Sequence, residues 1–188
     1  MGFPYRIRLS GEMGHNLVLM GKIIGEAAVV YEGYYAIQCQ SYGQETRGEA
    51  NCADIIIDKE KISCPGFKNP NVLLCLTQTA CDKYILQLDR QGVLIMDSKS
   101  VIDLPEKHAR VYGFPIFQVA QDQFKSESSA CLVALGVMAG FLQKISMASL
   151  LKSLGNQDIG DLNHIKEEAV QIGYGLGRRK LSHKSGVS

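Results

Sequence analysis

Val72-Leu73-Leu74-Cys75-Leu76 and Val93-Leu94-Ile95-Met96 are continuous apolar runs, too short to make a helix. A strand buried on both faces reads this way, and such strands belong to parallel sheets covered by helices. Between the runs, Thr77-Gln78-Thr79 opens a helix that carries Ala80, Tyr84, Ile85 and Leu88 inward. Strand, helix and strand in that order make a βαβ unit.

The rest of the chain extends the pattern. Residues 6–10 alternate as a strand with Ile7 and Leu9 on one face, and a glycine-bearing turn follows. A helix is predicted over 16–31, with Met20, Ile23, Ile24, Ala27, Ala28 and Tyr31 on one stripe and Asn16 as its N-cap. Further strands are predicted over 34–40 and 53–58, and another over 111–117, interrupted by Gly113 and Pro115. From Ser126 the pattern turns helical, over 130–142, 147–154 and 162–176, the last with Ile165, Ala169, Ile172, Gly173 and Leu176 on one face. The fold class is α/β: a Rossmann-like three-layer sandwich, a mostly parallel sheet with C-terminal helices. Residues 59–71 form a Pro/Gly-bearing excursion and not a boundary, so residues 3–177 make a single domain and 178–188 a polar tail.

Composition narrows the function. Twenty basic residues against nineteen acidic leave a net charge of +1, with no electrostatic reason to expect nucleic acid or an anionic membrane. The basic run Arg178-Arg179-Lys180 reads as part of a solvated tail. The longest apolar stretch, 130–142, falls short of the ~20 residues a membrane span needs. Residues 1–10 lack the apolar run of a signal peptide, which predicts a cytoplasmic location. The cysteines at 39, 52, 64, 75, 81 and 131 contain no C-x-x-C, so no zinc knuckle or iron–sulfur run is written, and reduced structural thiols are expected. His108, His164 and His183 read as surface residues, and neither a P-loop nor a G-x-S-x-G elbow occurs.

Ligands of open α/β sheets bind beyond the carboxyl ends of the strands, where three segments fall. The first is Gly11-Glu12-Met13-Gly14-His15-Asn16, a strand–turn–helix whose free N–H groups favour an anion. It misses the G-x-G-x-x-G pattern, and from spacing alone a tight turn without ligand is the simpler reading. The second is Gln40-Ser41-Tyr42-Gly43-Gln44-Glu45-Thr46-Arg47-Gly48, in which Arg47 can clamp a phosphate or carboxylate in bidentate fashion. A solvated Glu45–Arg47 pair is the competing reading, though loops of this kind concentrate binding residues. In the third, Thr77-Gln78-Thr79, capping accounts for the threonines and Gln78 can face the crevice.

Ser41-Tyr42-Gly43-Gln44-Glu45-Thr46-Arg47-Gly48 is similar to the Ser-Tyr-Gly-x-Glu-x-Arg-Gly-Gly loop of the gamma subunits of 2-oxoacid:ferredoxin oxidoreductases at every named position but the last, where Glu49 stands. Leu76-Thr77-Gln78-Thr79-Ala80-Cys81-Asp82-Lys83-Tyr84, the run ending at Asp97, and Leu135-Gly136 resemble the same family, most closely its 2-oxoglutarate type. The likeness spans residues 6–173. It departs at the first turn, where Met13-Gly14-His15-Asn16 stands for Gly-Gly-Gln-Gly, and at Ser129-Ala130, where the family usually has an Asn.

The resemblance implies a division of labour. Thiamine diphosphate and magnesium would belong to alpha and beta subunits, and iron–sulfur clusters to beta or to a ferredoxin-like delta subunit. This chain would hold no cofactor and be inactive alone. It would help form the coenzyme A side of the site through Gly11, Gly14, His15, Asn16, Ser41, Tyr42, Gly43, Glu45, Arg47, Gly48 and Gln78. A structural-only paralogue and a stand-alone nucleotide-binding protein are the alternatives.

Overall fold

The computed structural model describes residues 2–12, 14–41, 50–105 and 110–182. A six-stranded sheet carries the fold, with strands β1 (Tyr5–Gly11), β2 (Tyr35–Ser41), β3 (Asn51–Asp58), β4 (Val72–Cys75), β5 (Val93–Asp97) and β6 (Val111–Phe114). Their spatial order is β2-β3-β1-β4-β5-β6. The β1–β4, β4–β5 and β5–β6 pairs are parallel, whereas β3 is antiparallel to both β1 and β2. All strands but β3 therefore run the same way. The direction of β3 is the feature that strand patterning did not reveal, because Asn-Cys-Ala-Asp-Ile-Ile-Ile-Asp buries the same side chains read in either direction.

The sequence-predicted core strands are where the apolar runs put them, with all of β4 buried. One face of the sheet packs against α1 (Leu17–Glu26), α3 (Ile116–Phe124), α4 (Ala130–Leu142), α5 (Met147–Gly155) and α6 (Lys166–Ser182). The other face carries α2 (Gln78–Tyr84), which packs on β1 and β4 over Leu73, Cys75 and Leu94. The first predicted helix differs from expectation at its end: α1 passes into a π-helical turn, Ala27–Tyr31.

Every residue of α4 is buried, as a helix apolar on all sides must be. It packs against α1, α3, α5 and α6. Its contact with α6 is close enough to involve backbone. A Cβ on Gly136 would meet the Val170 carbonyl oxygen and lie 2.7 Å from the Tyr174 nitrogen, and one on Gly173 would meet the Val133 carbonyl. Gly140 and Gly177 repeat the arrangement one turn on, so paired G-x-x-x-G spacings let the two helices touch.

Two boundaries need correction. Residues 111–117 are not one strand: β6 ends at Phe114, and Ile116 and Phe117 begin α3. Pro115 has no N–H to continue a ladder. The Phe117 N–H, an orphan of the helix start, is taken instead by the carboxylate of Asp97, twenty residues earlier. The last helix runs on through Ser182, past the end predicted at residue 176. Among the described residues no helix is long and apolar enough to cross a membrane.

Candidate functional site

The carboxyl ends of β1, β2, β4, β5 and β6 share one edge of the sheet. Because β3 runs in reverse, its start lies there too: Gly11 pairs with Asn51 and Ser41 with Cys52. Ser41 and Ala50, which flank residues 42–49, therefore both sit at the edge that carries the first turn. Tyr42, Gly43, Glu45, Arg47 and Gly48 lie outside the described residues. The Ala50 carbonyl is held from α2 by the Lys83 ammonium at 2.8 Å and the Tyr84 hydroxyl at 3.2 Å.

The first turn closes on itself. Gly14 has φ +98°, a backbone conformation that suits glycine. The His15 ring folds back over Gly11, where a Cβ would come within 2.5 Å of Nδ1, so glycine at 11 makes room for the imidazole. His15 Nδ1 accepts the Glu12 N–H at 2.9 Å, which leaves the proton of the neutral ring on Nε2. Burial pushes the His15 pKa below its ordinary value of 6.5, while the Glu12 and Glu127 carboxylates pull it back up. Asn16 occupies the N-cap of α1 in a left-handed conformation without a side-chain cap bond. Its side chain meets the Cys131 thiol instead.

The third segment supports the first. Thr77 caps α2 as expected, accepting the Ala80 N–H at 3.3 Å. Thr77 and Thr79 hydroxyls lie 3.0 Å apart, and Thr79 donates to Glu12 Oε1 at 3.1 Å. Gln78 is committed elsewhere. Its Oε1 accepts the N–H groups of Ile102 and Asp103 at 2.9 and 3.1 Å, and its Nε2 donates to Asp82 and to the Asp103 carbonyl. Both ends of that amide thus pin the segment after β5.

Glu12, Gly14 and His15 face Glu127, Ser128 and Cys131, at the start of α4, across a cleft of about 320 Å³. Phe117 packs on the His15 ring with centroids 5.3 Å apart. Carboxylates, an imidazole N–H, a hydroxyl and a thiol suit a hydrogen-bonding ligand. Among the described residues lining the cleft there is no Lys or Arg to meet a phosphate. Sequence reasoning missed Glu127, Ser128 and Cys131, which line this cleft, and Phe117, which packs on the His15 ring. The signal for Glu127 was an acid just before a helix start; Phe117 had none.

The remaining candidates are dispersed. Cys52, Cys75, Cys81 and Cys131 are buried, Cys39 is half-buried and Cys64 exposed, all as free thiols. Burial pushes the Cys75 thiol well up, and Cys81 is lowered, chiefly by its hydrogen bond with Cys75. His164 is exposed; His108 and His183 lie outside the described residues.

The fold has known counterparts. The chain is 35% identical over 150 residues to the 2-oxoglutarate synthase subunit KorC of Methanocaldococcus jannaschii, covering 79% of this chain and 80% of that protein. The gamma subunit of a keto/oxoacid ferredoxin oxidoreductase from Geobacter sulfurreducens matches with a TM-score of 0.81 at 35% identity, over 92% of this chain and 98% of that one. The 2-oxoglutarate:ferredoxin oxidoreductase from Magnetococcus marinus, solved with 2-oxoglutarate, coenzyme A and succinyl-CoA bound, shares the fold with a TM-score of 0.77 at 19% identity, over all of this chain and 32% of that longer one. The family profile of the pyruvate ferredoxin/flavodoxin oxidoreductases matches residues 6–174, and with nearly the whole sheet and its helices inside that match, this chain belongs to that family.

Proposed function

We propose that this chain is the gamma subunit of a thiamine-dependent 2-oxoacid:ferredoxin oxidoreductase, of the 2-oxoglutarate type, and that it forms the coenzyme A side of the site. The complex would convert a 2-oxoacid and coenzyme A to acyl-CoA and carbon dioxide, passing the two electrons singly to ferredoxin. Thiamine diphosphate, magnesium and the iron–sulfur clusters belong to alpha, beta and possible delta partners, and the assembly is cytoplasmic. The chain alone is inactive and works inside the complex.

The observation that carries the reading is the shared edge: the strand ends flanking 42–49 and the His15 cleft lie on one side of the sheet. In this reading Arg47 supplies the cation absent from the described lining of the cleft and takes a phosphate of coenzyme A, while Gly14, His15 and Asn16 meet a neutral part. Ser41, Tyr42, Gly43, Glu45 and Gly48 are candidates for the same ligand, and Gly11 and Gln78 act through the turn and segment they hold. Loss of a bidentate charge-assisted contact costs ~1.5–3 kcal/mol, so Arg47→Ala should raise the KM for coenzyme A roughly ten- to hundredfold with assembly intact. Unchanged coenzyme A kinetics in the assembled complex would remove the loop from the site.

One observation favours a second reading, a structural-only paralogue. The His15 ring fills the space over Gly11 and uses the Glu12 N–H that an anion would otherwise take. Under that reading both Arg47→Ala and His15→Ala change complex stability alone.

A further inference from the structure

Asp97 closes β5 with its side chain fully buried. One carboxylate oxygen accepts the N–H groups of Lys99 and Ser100 at 3.0 and 2.8 Å, fixing the turn that follows the strand. The other accepts the Phe117 N–H at 3.1 Å. Pro115 stands at the N-cap of α3 without a side-chain cap bond, so Asp97 caps that helix from a neighbouring strand. Phe117 is thereby fixed at the backbone, and its half-buried ring packs against His15. On its other side the imidazole is tied to the Glu12 N–H through Nδ1 and lines the cleft.

We propose that Asp97 is a positioning residue for this cleft: by capping α3 it holds Phe117 against the imidazole, and so keeps His15 in the tautomer and orientation that present Nε2–H to the ligand. A remote group that fixes an imidazole's tautomer and angle is a familiar way to prepare a site. The inference rests on the coenzyme A reading only for what the ligand is. Among the described residues, the titratable groups facing His15 are Glu12 on its own turn and Glu127 and Cys131 across the cleft.

The test is a two-dimensional NMR titration of the histidine ring nitrogens in the full chain, with His15→Gln assigning the signal. In the wild type, His15 is a single Nε2–H tautomer that titrates below 6.5. Phe117→Leu and Asp97→Asn each shift that titration upward and mix the tautomers, because Asn presents an N–H where one of the three donors needs an acceptor. Phe117→Tyr keeps the ring and leaves the signal unmoved. An unmoved His15 signal in Phe117→Leu would overturn the proposal. Amide exchange needs no variant: a Phe117 amide that exchanges much faster than that of Ser100 would overturn it as well. The shift in both Phe117→Leu and Asp97→Asn with an unchanged coenzyme A KM in the assembled complex removes His15 from the coenzyme A contacts and leaves the role of Asp97 standing.

Discussion

Arg8 and Asp54 face each other across neighbouring strands as a two-pronged ion pair, with Nε and Nη2 each 2.7 Å from a carboxylate oxygen. Side-chain exposures of 8% and 14% put the pair out of reach of most solvent screening. The third guanidinium nitrogen bonds Gln87, and the rings of Tyr84 and Phe67 flank the cation at 5.1 and 5.6 Å. Removing one member strands a buried charge, so Asp54→Ala should cost about 3–5 kcal/mol in urea unfolding. Arg8→Met combined with Asp54→Leu should lose less than either single change, because no charge is then left behind. A double variant as unstable as the singles would mean that the pair itself contributes net stability.

The α4–α6 seam makes a paired prediction. Gly173→Ala pushes a methyl into the Val133 peptide and should destabilise by ~3 kcal/mol, the upper end for overpacking. Gly175→Ala, on the same helix but with nothing within 4 Å of its Cβ, should gain ~0.5–1 kcal/mol from helix propensity. Thermal or urea unfolding of the two variants checks both signs.

Stability should fall in acid through His15. Its folded-state pKa lies below the unfolded value near 6.5, so between those two values the unfolded chain binds more protons. The contribution is complete above about 6.5 and is lost as the pH drops through the folded value. Urea midpoints measured from pH 7.5 down to 5 should show His15→Gln with a shallower decline than the wild type. Parallel curves would mean that the imidazole is not held neutral.

The grip of α2 on the Ala50 carbonyl predicts a link from helix to loop. Tyr84→Phe deletes one of two donors and should cost about 1 kcal/mol. Lys83→Met with Tyr84→Phe frees the exit of residues 42–49 and should raise the coenzyme A KM of the complex several-fold. A KM equal to wild type would separate that anchor from ligand binding.

What could be read from residue order was what neighbours in the chain decide. Helix 130–142 is apolar on every side, so its limits were plain, and the run at 72–76 could only be a strand buried on both faces. Thr77 caps through an atom three residues away. Helix α3 was hidden because its cap comes from Asp97, and the strand direction of β3 because its burial pattern has no polarity. The first turn was recognisable as a candidate, yet the way His15 fills it depends on the absent Cβ of Gly11 and on Phe117, which only the folded chain brings near. That Gln78 ties down Ile102 and Asp103 was hidden too, because that segment lies beyond the next strand.

The reversed course of β3 has an outcome for how such a subunit can change. A hairpin leaves and re-enters the sheet at one margin, so the linker joining its two arms needs no helix to carry it back across. Its length and chemistry can be rewritten without disturbing a single rung of the ladder between Gly11 and Asn51.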